Sequence, residues 1–355
     1  MKIETDASFY TDKDGHFLRS SALKTYESCS FAYFANYSLK IPQEENDGMS
    51  MGNVAHSFFE CMLNLRRKPL HKQIIKANSI SISPSCVRLV KKLIKKNNLT
   101  YSPELFTKID KMLLVGLNAD FYVKGGTIVG KEYRFKHINE SPKYKIYGTI
   151  DKIALKGKYI IIDDFKSSKV KFSGSDIHSS VQALMYSLAC KKLYPDYIPK
   201  VRFIFLQYPD SPMQEVEFNE DALKGFEYYL ESIQKATDNF TEKDAYANFA
   251  YDKGRPTDNS FGGVLSCGYG KFKGHKNREG KEYWNCSFKW PKDYYVLLKD
   301  NKIIKTSQKN DLIPQNGETV EKRHWPGCPR WNNVINDLPE TQIKNFDTSN
   351  VLDDF

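Results

Sequence analysis

The stretch Tyr147–Ser168, YGTIDKIALKGKYIIIDDFKSS, decides how this chain folds. Its two apolar, β-branched runs flank Lys156-Gly157-Lys158, the pattern of two strands joined by a tight turn. Each run holds a carboxylate among apolar neighbours: Asp151 in the first, and Asp163-Asp164 at the end of the second. Such a carboxylate is costly unless it is paired or binds a cation, and two of them on adjoining strands invite a shared one. Asp164 and Lys166 are two apart, so the strand period puts both on one face, while Phe165 turns the other way and Asp163 points to the opposite face. Standing alone, Asp-x-Lys reads as a strand-edge salt bridge.

Working outward, IVGKEYRFKHI, starting at Ile128, is a further strand, set off by turn residues from Asn139 to Lys143. The three runs predict an antiparallel meander. Next comes SDIHSSVQALMYSLACKKLY, with helical period and a stop at Pro195, then the apolar strand VRFIFLQY. This order predicts an α/β core with a mixed central sheet flanked by helices, because the last strand can return parallel through the helix. A further helix is expected over residues 221–240. Upstream, residues 21–65 and the runs after Pro84 space their apolar residues at three and four, so the first third reads as helical. The resulting division is a helical N-terminal region with a basic insert (1–125), a core (126–240), a loop-rich basic and aromatic region containing cysteines (241–336), and an acidic tail (337–355).

Across 355 residues, 40% hydrophobic and 14% aromatic content is ample for a core. No stretch approaches the ~18 consecutive apolar residues that span a bilayer. The opening MKIETDASFYTDKDG has neither the apolar run of a secretion signal nor an arginine-rich transit pattern. No membrane partner is expected, and the expected location is the cytoplasm, of a host cell if the chain is phage-encoded. A formal net charge of +10 favours a polyanionic partner, because each neutralised phosphate releases counterions. Residues 66–111 carry twelve Lys/Arg against Glu104 and Asp110 only, with Lys91, Lys92, Lys95 and Lys96 as the expected phosphate contacts. A second basic block, Lys253 to Lys292, interleaves cations with aromatic residues, the composition of a surface that tracks a backbone and stacks bases. The alternatives are a solvated helix face for the first block and a packed irregular subdomain for the second.

Two more pieces complete the chemistry. Gly52-Asn53-Val54-Ala55-His56 lies on a helical stretch before the sheet, and Gln182 and Tyr186, at i and i+4, share one face of the helix after it. Hydrolysing a phosphodiester at neutral pH needs a bound cation and a group that assists the attacking water. Hard cations such as Mg²⁺ select oxygen ligands.

In this order the pieces resemble the RecB-type exonuclease branch of the PD-(D/E)XK nuclease superfamily, related to the CRISPR-adaptation and phage exonucleases. The family pattern GxxxH, GxxD, a hydrophobic strand ending in DxK, then QxxxY appears as Gly52…His56, Gly148…Asp151, Asp164-Phe165-Lys166 and Gln182…Tyr186. The resemblance implies a restriction-endonuclease-like fold and a Mg²⁺- or Mn²⁺-dependent deoxyribonuclease. It implies that His56, Asp151, Asp164 and the carbonyl of Phe165 ligate the metal and that Lys166 acts on the water. Gln182 and Tyr186 would position DNA. Glu132 matches an acidic residue often seen on the strand before GxxD, with an exposed strand glutamate as the alternative. The expected activity is exonucleolytic, acting on a DNA end or single strand in phage or mobile-element recombination, repair or replication. A structure-specific endonuclease of the same fold and a non-catalytic DNA-binding module are the competing readings.

Some members of this branch carry a four-cysteine iron–sulfur cluster, with one cysteine before GxxxH and three late in the chain. Cys29, Cys267, Cys286 and Cys328 are the corresponding candidates, with zinc as an alternative that would add His275 and His324. The late three are spread more widely than in the family, so buried or free thiols are the plainer expectation. Cys61 and Cys190 read as core residues. The end Val351-Leu352-Asp353-Asp354-Phe355 resembles the acidic tails that recruit replication or recombination proteins, or is simply a disordered end.

Overall fold

The computed structural model of this chain describes residues 16–43, 47–246, 267–268, 273–278, 280 and 282–329. The acidic tail and most of residues 253–272 of the second basic block therefore lie outside the described residues. The helices are α1 (Ser20–Ser28), α2 (Ser30–Tyr33), α3 (Asp47–Met62), α4 (Lys68–Ala77), α5 (Pro84–Lys96), α6 (Pro103–Asn118), α7 (Val181–Leu193), α8 (Glu220–Thr237) and α9 (Glu242–Ala245). The strands are β1 (Thr127–Glu140), β2 (Lys143–Lys156), β3 (Tyr159–Lys166), β4 (Ile198–Phe205), β5 (Met213–Glu217), β6 (Lys292–Lys299), β7 (Lys302–Ser307) and β8 (Glu318–Trp325). Described residues 16–23 and 47–239 form one compact unit; residues 24–43 and those from 240 onward form another.

In the first unit one mixed sheet runs β1-β2-β3-β4-β5. All neighbours are antiparallel except β3 and β4, which are parallel and joined through α7. Alternation along β3 and β4 assigns the two faces. Ile160, Ile162, Val201, Phe203 and Phe205 pack with Met185 and Leu188 of α7 and Leu230 of α8. Phe165 and Ile204 pack instead with Phe58 and Phe59 of α3 and Leu113 of α6. Serine caps start the helices of this second layer: the hydroxyls of Ser83 and Ser102 accept from the backbone N–H of Cys86 and Leu105, each followed by a proline suited to the first helical position. α5 leaves Lys91, Lys92, Lys95 and Lys96 exposed while burying Val90, Leu93 and Ile94.

Two glycines of the sequence motifs are explained by close approach. A Cβ on Gly52 would lie 2.7 Å from the Ser167 hydroxyl oxygen, so the glycine lets α3 pass directly over the segment that follows β3. Gly148 pairs with Phe135 across β1–β2, and a Cβ there would lie 2.5 Å from the Phe135 ring.

Opposite the face that carries Asp164, Asp163 is fully buried, as parity predicts. It pairs with Lys152, its register partner on β2, and with the Arg202 guanidinium at 2.5 and 2.8 Å. Lys152 also donates to the Phe121 carbonyl at 2.7 Å, and Arg202 reaches Asp120 at 3.2 Å. Burial pulls the Lys152 pKa down, and the neighbouring Asp163 charge opposes this.

In the second unit, the region expected to be rich in loops also contains a sheet that the sequence reading did not anticipate, of order β7-β6-β8. Its first hairpin turns at Asp300-Asn301, both at positive φ (49° and 59°), the backbone of a tight two-residue hairpin turn. The first unit's β5, a short edge strand, was likewise not anticipated. Cys190 is buried as expected, but Cys61 is exposed, because it falls on the outward side of α3.

Removing one member of a buried charge cluster strands the others. Asp163→Ala should therefore destabilise the first unit by about 3–5 kcal/mol, read as a lower denaturant midpoint. An unchanged midpoint would mean that the cluster contributes nothing to the fold.

Candidate active site

Four elements of the first unit converge at one end of the β1–β2–β3 ladder. Glu132 lies between the pairs Lys131↔Lys152 and Tyr133↔Ile150, which places it opposite Asp151. Its backbone is in the left-handed region at φ 42°, a conformation non-glycine residues adopt rarely. From α3, one turn beyond Gly52, His56 brings Nδ1 to 3.1 Å from Asp151 Oδ1. Ligand atoms of His56, Glu132 and Asp151 all lie within 4.8 Å of one another.

Asp151 and Asp164 meet where β2 and β3 part. The β2–β3 register stops at Lys152↔Asp163, and beyond it the Phe165 backbone N–H donates to Asp151 Oδ2 at 2.7 Å instead of to a strand partner. The Lys166 carbonyl accepts from Leu206 on the β4 side. Strand alternation therefore turns the Phe165 carbonyl toward the β2 side, where the carboxylates are.

Asp164, 3% exposed, is held from one side only. Lys166 Nζ lies 2.7 Å from its Oδ2 and donates to Gln182 Oε1, also at 2.7 Å. Gln182 Nε2 donates to Asp164 Oδ1 at 2.7 Å and to the Tyr186 hydroxyl at 2.9 Å, and that hydroxyl donates to the Thr149 carbonyl at 2.7 Å. The Lys166 ammonium is therefore the partner of the buried Oδ2, and Gln182 of Oδ1. Gln182 and Tyr186 thus touch the carboxylate and the lysine themselves, with Tyr186 itself buried. The Thr149 carbonyl is a member of the site that residue types alone did not signal.

The electrostatics are those of a cluster with more negative charge than it holds comfortably. Burial, then the neighbouring Asp151 charge, raises Glu132 to about 7, with His56 opposing. For His56, burial disfavours the charged ring, but the Asp151 charge and hydrogen bond outweigh it and raise the pKa to about 9. Asp164 is raised by burial and by Asp151, against Lys166. An imidazole nitrogen and two carboxylates whose ligand atoms lie within 4.8 Å of one another form a donor set that fits a hard or borderline divalent cation.

A family model described as the PD-(D/E)XK nuclease superfamily matches residues 20–269, and the chain belongs to this superfamily. Membership makes it a nuclease of the metal-dependent kind, with DNA as the substrate class, and the mixed five-stranded sheet flanked by helices is the corresponding restriction-endonuclease-like fold. A search of curated proteins found no match. Among the described residues, no helix is long and apolar enough to cross a membrane.

In the second unit the structure brings the four candidate cysteines into one neighbourhood. Cys29, Cys286 and Cys328 pack at the edge of the cluster formed by Phe31, Tyr294, Val296 and Trp325. The Cys286 N–H donates to the Cys267 carbonyl at 3.2 Å, and the Cys328 N–H to the Lys289 carbonyl at 3.1 Å. Burial pushes the Cys286 thiol up to about 11, and the charges of Cys267 and Cys29 add to this. Lys289 is lowered to about 8 by burial, opposed by Cys267, Cys286 and Cys328. His324 pairs with Asp293 at 2.7 Å, and His275 lies against the Tyr283 ring.

Proposed function

We propose that the protein is a Mg²⁺- or Mn²⁺-dependent DNA exonuclease of the RecB type, working in DNA recombination, repair or replication in the cytoplasm. The observation that carries this reading is the gathering of His56, Glu132 and Asp151 from three separate elements within 4.8 Å of one another, beside the Asp164–Lys166 pair at the end of β3. His56, Asp151, Asp164 and the Phe165 carbonyl hold the cation, with Glu132 completing the set. A divalent cation there supplies the positive charge and Lewis acidity that phosphodiester hydrolysis requires.

The chain's own residues do the rest. Lys166 Nζ, fixed between Asp164 and Gln182, is held where its ammonium can donate to an attacking water and orient it. Gln182 and Tyr186 position DNA indirectly, by keeping Asp164 and Lys166 in register through the Thr149 carbonyl. On α5, Lys91, Lys92, Lys95 and Lys96 offer an exposed basic face to the phosphate backbone without reading sequence. α5 packs against α3, the helix that carries His56.

The same reading extends to the second unit, where Cys29, Cys267, Cys286 and Cys328 hold an iron–sulfur cluster. Cys29, Cys286 and Cys328 at the edge of one cluster, with Cys286 bonded to the Cys267 backbone, support it, because thiolates are the usual ligands of such clusters. Recruitment of a replication or recombination protein falls to the acidic tail.

Incubation of end-labelled linear DNA and covalently closed circular DNA with Mg²⁺ or Mn²⁺ tests the activity. The linear strands should shorten from an end while the circles survive; cut circles would replace the exonuclease with an endonuclease of the same fold. Anaerobically purified protein should be brown, with a broad visible absorbance that Cys29→Ser bleaches. A colourless protein containing zinc would assign the thiols to zinc, and one containing neither metal would leave them as free thiols.

A further inference from the structure

Beside the carboxylates, on the far side of Tyr186, the first unit has a second concavity that none of the steps above uses. It is a pocket of about 340 Å³ lined by Arg19, Ser20 and Ser21 at the start of α1, Arg134 on β1, Tyr147, Gly148 and Thr149 on β2, and Tyr186 on α7. We propose that this pocket binds the terminal phosphate of a DNA strand whose neighbouring phosphodiester is cleaved at the carboxylate cluster. The proposal rests on the nuclease reading and deepens it by naming the end that the enzyme prefers.

Three observations carry it. First, the lining is built for an anion. Among the described residues it is lined by two arginines and three hydroxyl-bearing residues of the Ser/Thr type, and by no acidic one. Guanidinium forks pair with phosphate oxygens in two parallel hydrogen bonds, geometry that a lysine point charge does not reproduce. Two positive charges match a phosphomonoester, which carries up to two negative charges near neutrality, better than an internal phosphodiester, which carries one.

Second, the arginines are mounted on fixed backbone. Arg134 stands opposite Thr149 in the β1–β2 register. The residue before Arg19 is tied to β2 on both sides: the Leu18 N–H donates to the Lys145 carbonyl at 2.8 Å and the Tyr147 N–H to the Leu18 carbonyl at 3.0 Å. The Arg19 guanidinium lies 5.0 Å from the centre of the Tyr147 ring, which limits its swing.

Third, the pocket and the reaction centre share a wall. Tyr186 lines the pocket, while its hydroxyl donates to Thr149, another lining residue, and lies 3.4 Å from Asp164 Oδ1. Arg134 is also close enough to Glu132 for its charge to lower the Glu132 pKa. A phosphate seated here is therefore next to the cleaved bond, and not at a remote surface site.

Binding without cleavage separates this proposal from the nuclease reading. In EDTA, fluorescence anisotropy would compare four oligonucleotides of one sequence, carrying a phosphate or a hydroxyl at the 5′ or the 3′ end. At one end the phosphate should tighten binding by about tenfold or more, as charge-assisted hydrogen bonds to a dianion imply. In Arg134→Gln and Arg19→Gln that ratio should fall toward one while hydroxyl-ended DNA still binds. Arg134→Lys, which keeps the charge and loses the fork, should recover only part of it. Equal affinities for all four ends in the parent protein would overturn the proposal, as would a phosphate preference that survives in the double variant. A loss of affinity for every oligonucleotide alike, with no end preference in the parent, would assign the pocket to an internal phosphate and equally overturn it. If the protein cleaves no DNA under any cation, the nuclease reading fails, but the end preference is still read from binding.

Discussion

Lys152 and Asp163 meet across β2 and β3 with neither reaching water, and the chemistry of the first unit depends on that pair. A buried carboxylate facing a buried ammonium fixes register, because a slip by one residue would turn both charges to the other face and leave each without its partner. Each of these residues is followed or preceded by a candidate ligand: Asp151 comes before Lys152, and Asp164 after Asp163. Locking 152 to 163 therefore fixes how 151 and 164 face each other. Arg202 extends the lock to β4, so three of the five strands are pinned by one cluster of charge.

The two faces of the sheet divide the labour. On one, charge is neutralised internally: Asp163 is satisfied by Lys152 and Arg202, and Lys152 by the Phe121 carbonyl as well. On the other, it is not. The Asp151 charge raises the proton affinity of Glu132 and of Asp164, and His56 is drawn to the charged state. The Lys166–Gln182–Tyr186–Thr149 chain keeps this unneutralised point rigid, since every polar atom in the chain is committed to a neighbour. The distinction between a structural and a reactive carboxylate is thus a distinction in how completely each is paired.

Much of this was legible in the sequence. Parity alone separated Asp163 from Asp164, and the helix-strand-helix order predicted the mixed sheet, because side-chain period and crossover geometry are local rules. Gly52 and Gly148 stood out as motif members, although the Ser167 and Phe135 contacts that require them are tertiary and could not be read. The pairing of Arg202 with Asp163, 39 residues apart, depends on the parallel register of β3 and β4, to which no local pattern points. β5 escaped notice as a short edge strand with one buried residue, and the β6–β7 hairpin because lysines interrupt its apolar runs; its Asp300-Asn301 turn was the available signal. The wide spacing of Cys267, Cys286 and Cys328 argued against their meeting. Loop-closure entropy grows only slowly with length, and the fold brings them together.

The most direct test of the account is single-turnover cleavage of labelled DNA by the parent protein and by Lys166→Ala, with Mg²⁺ binding to each followed by calorimetry. Cleavage by the parent should require the cation, and the variant should bind it about as tightly while cleaving orders of magnitude more slowly. Cleavage that persists in EDTA, or a Lys166→Ala variant that cleaves at the parent rate, would contradict the claim that this carboxylate cluster and its lysine hydrolyse DNA.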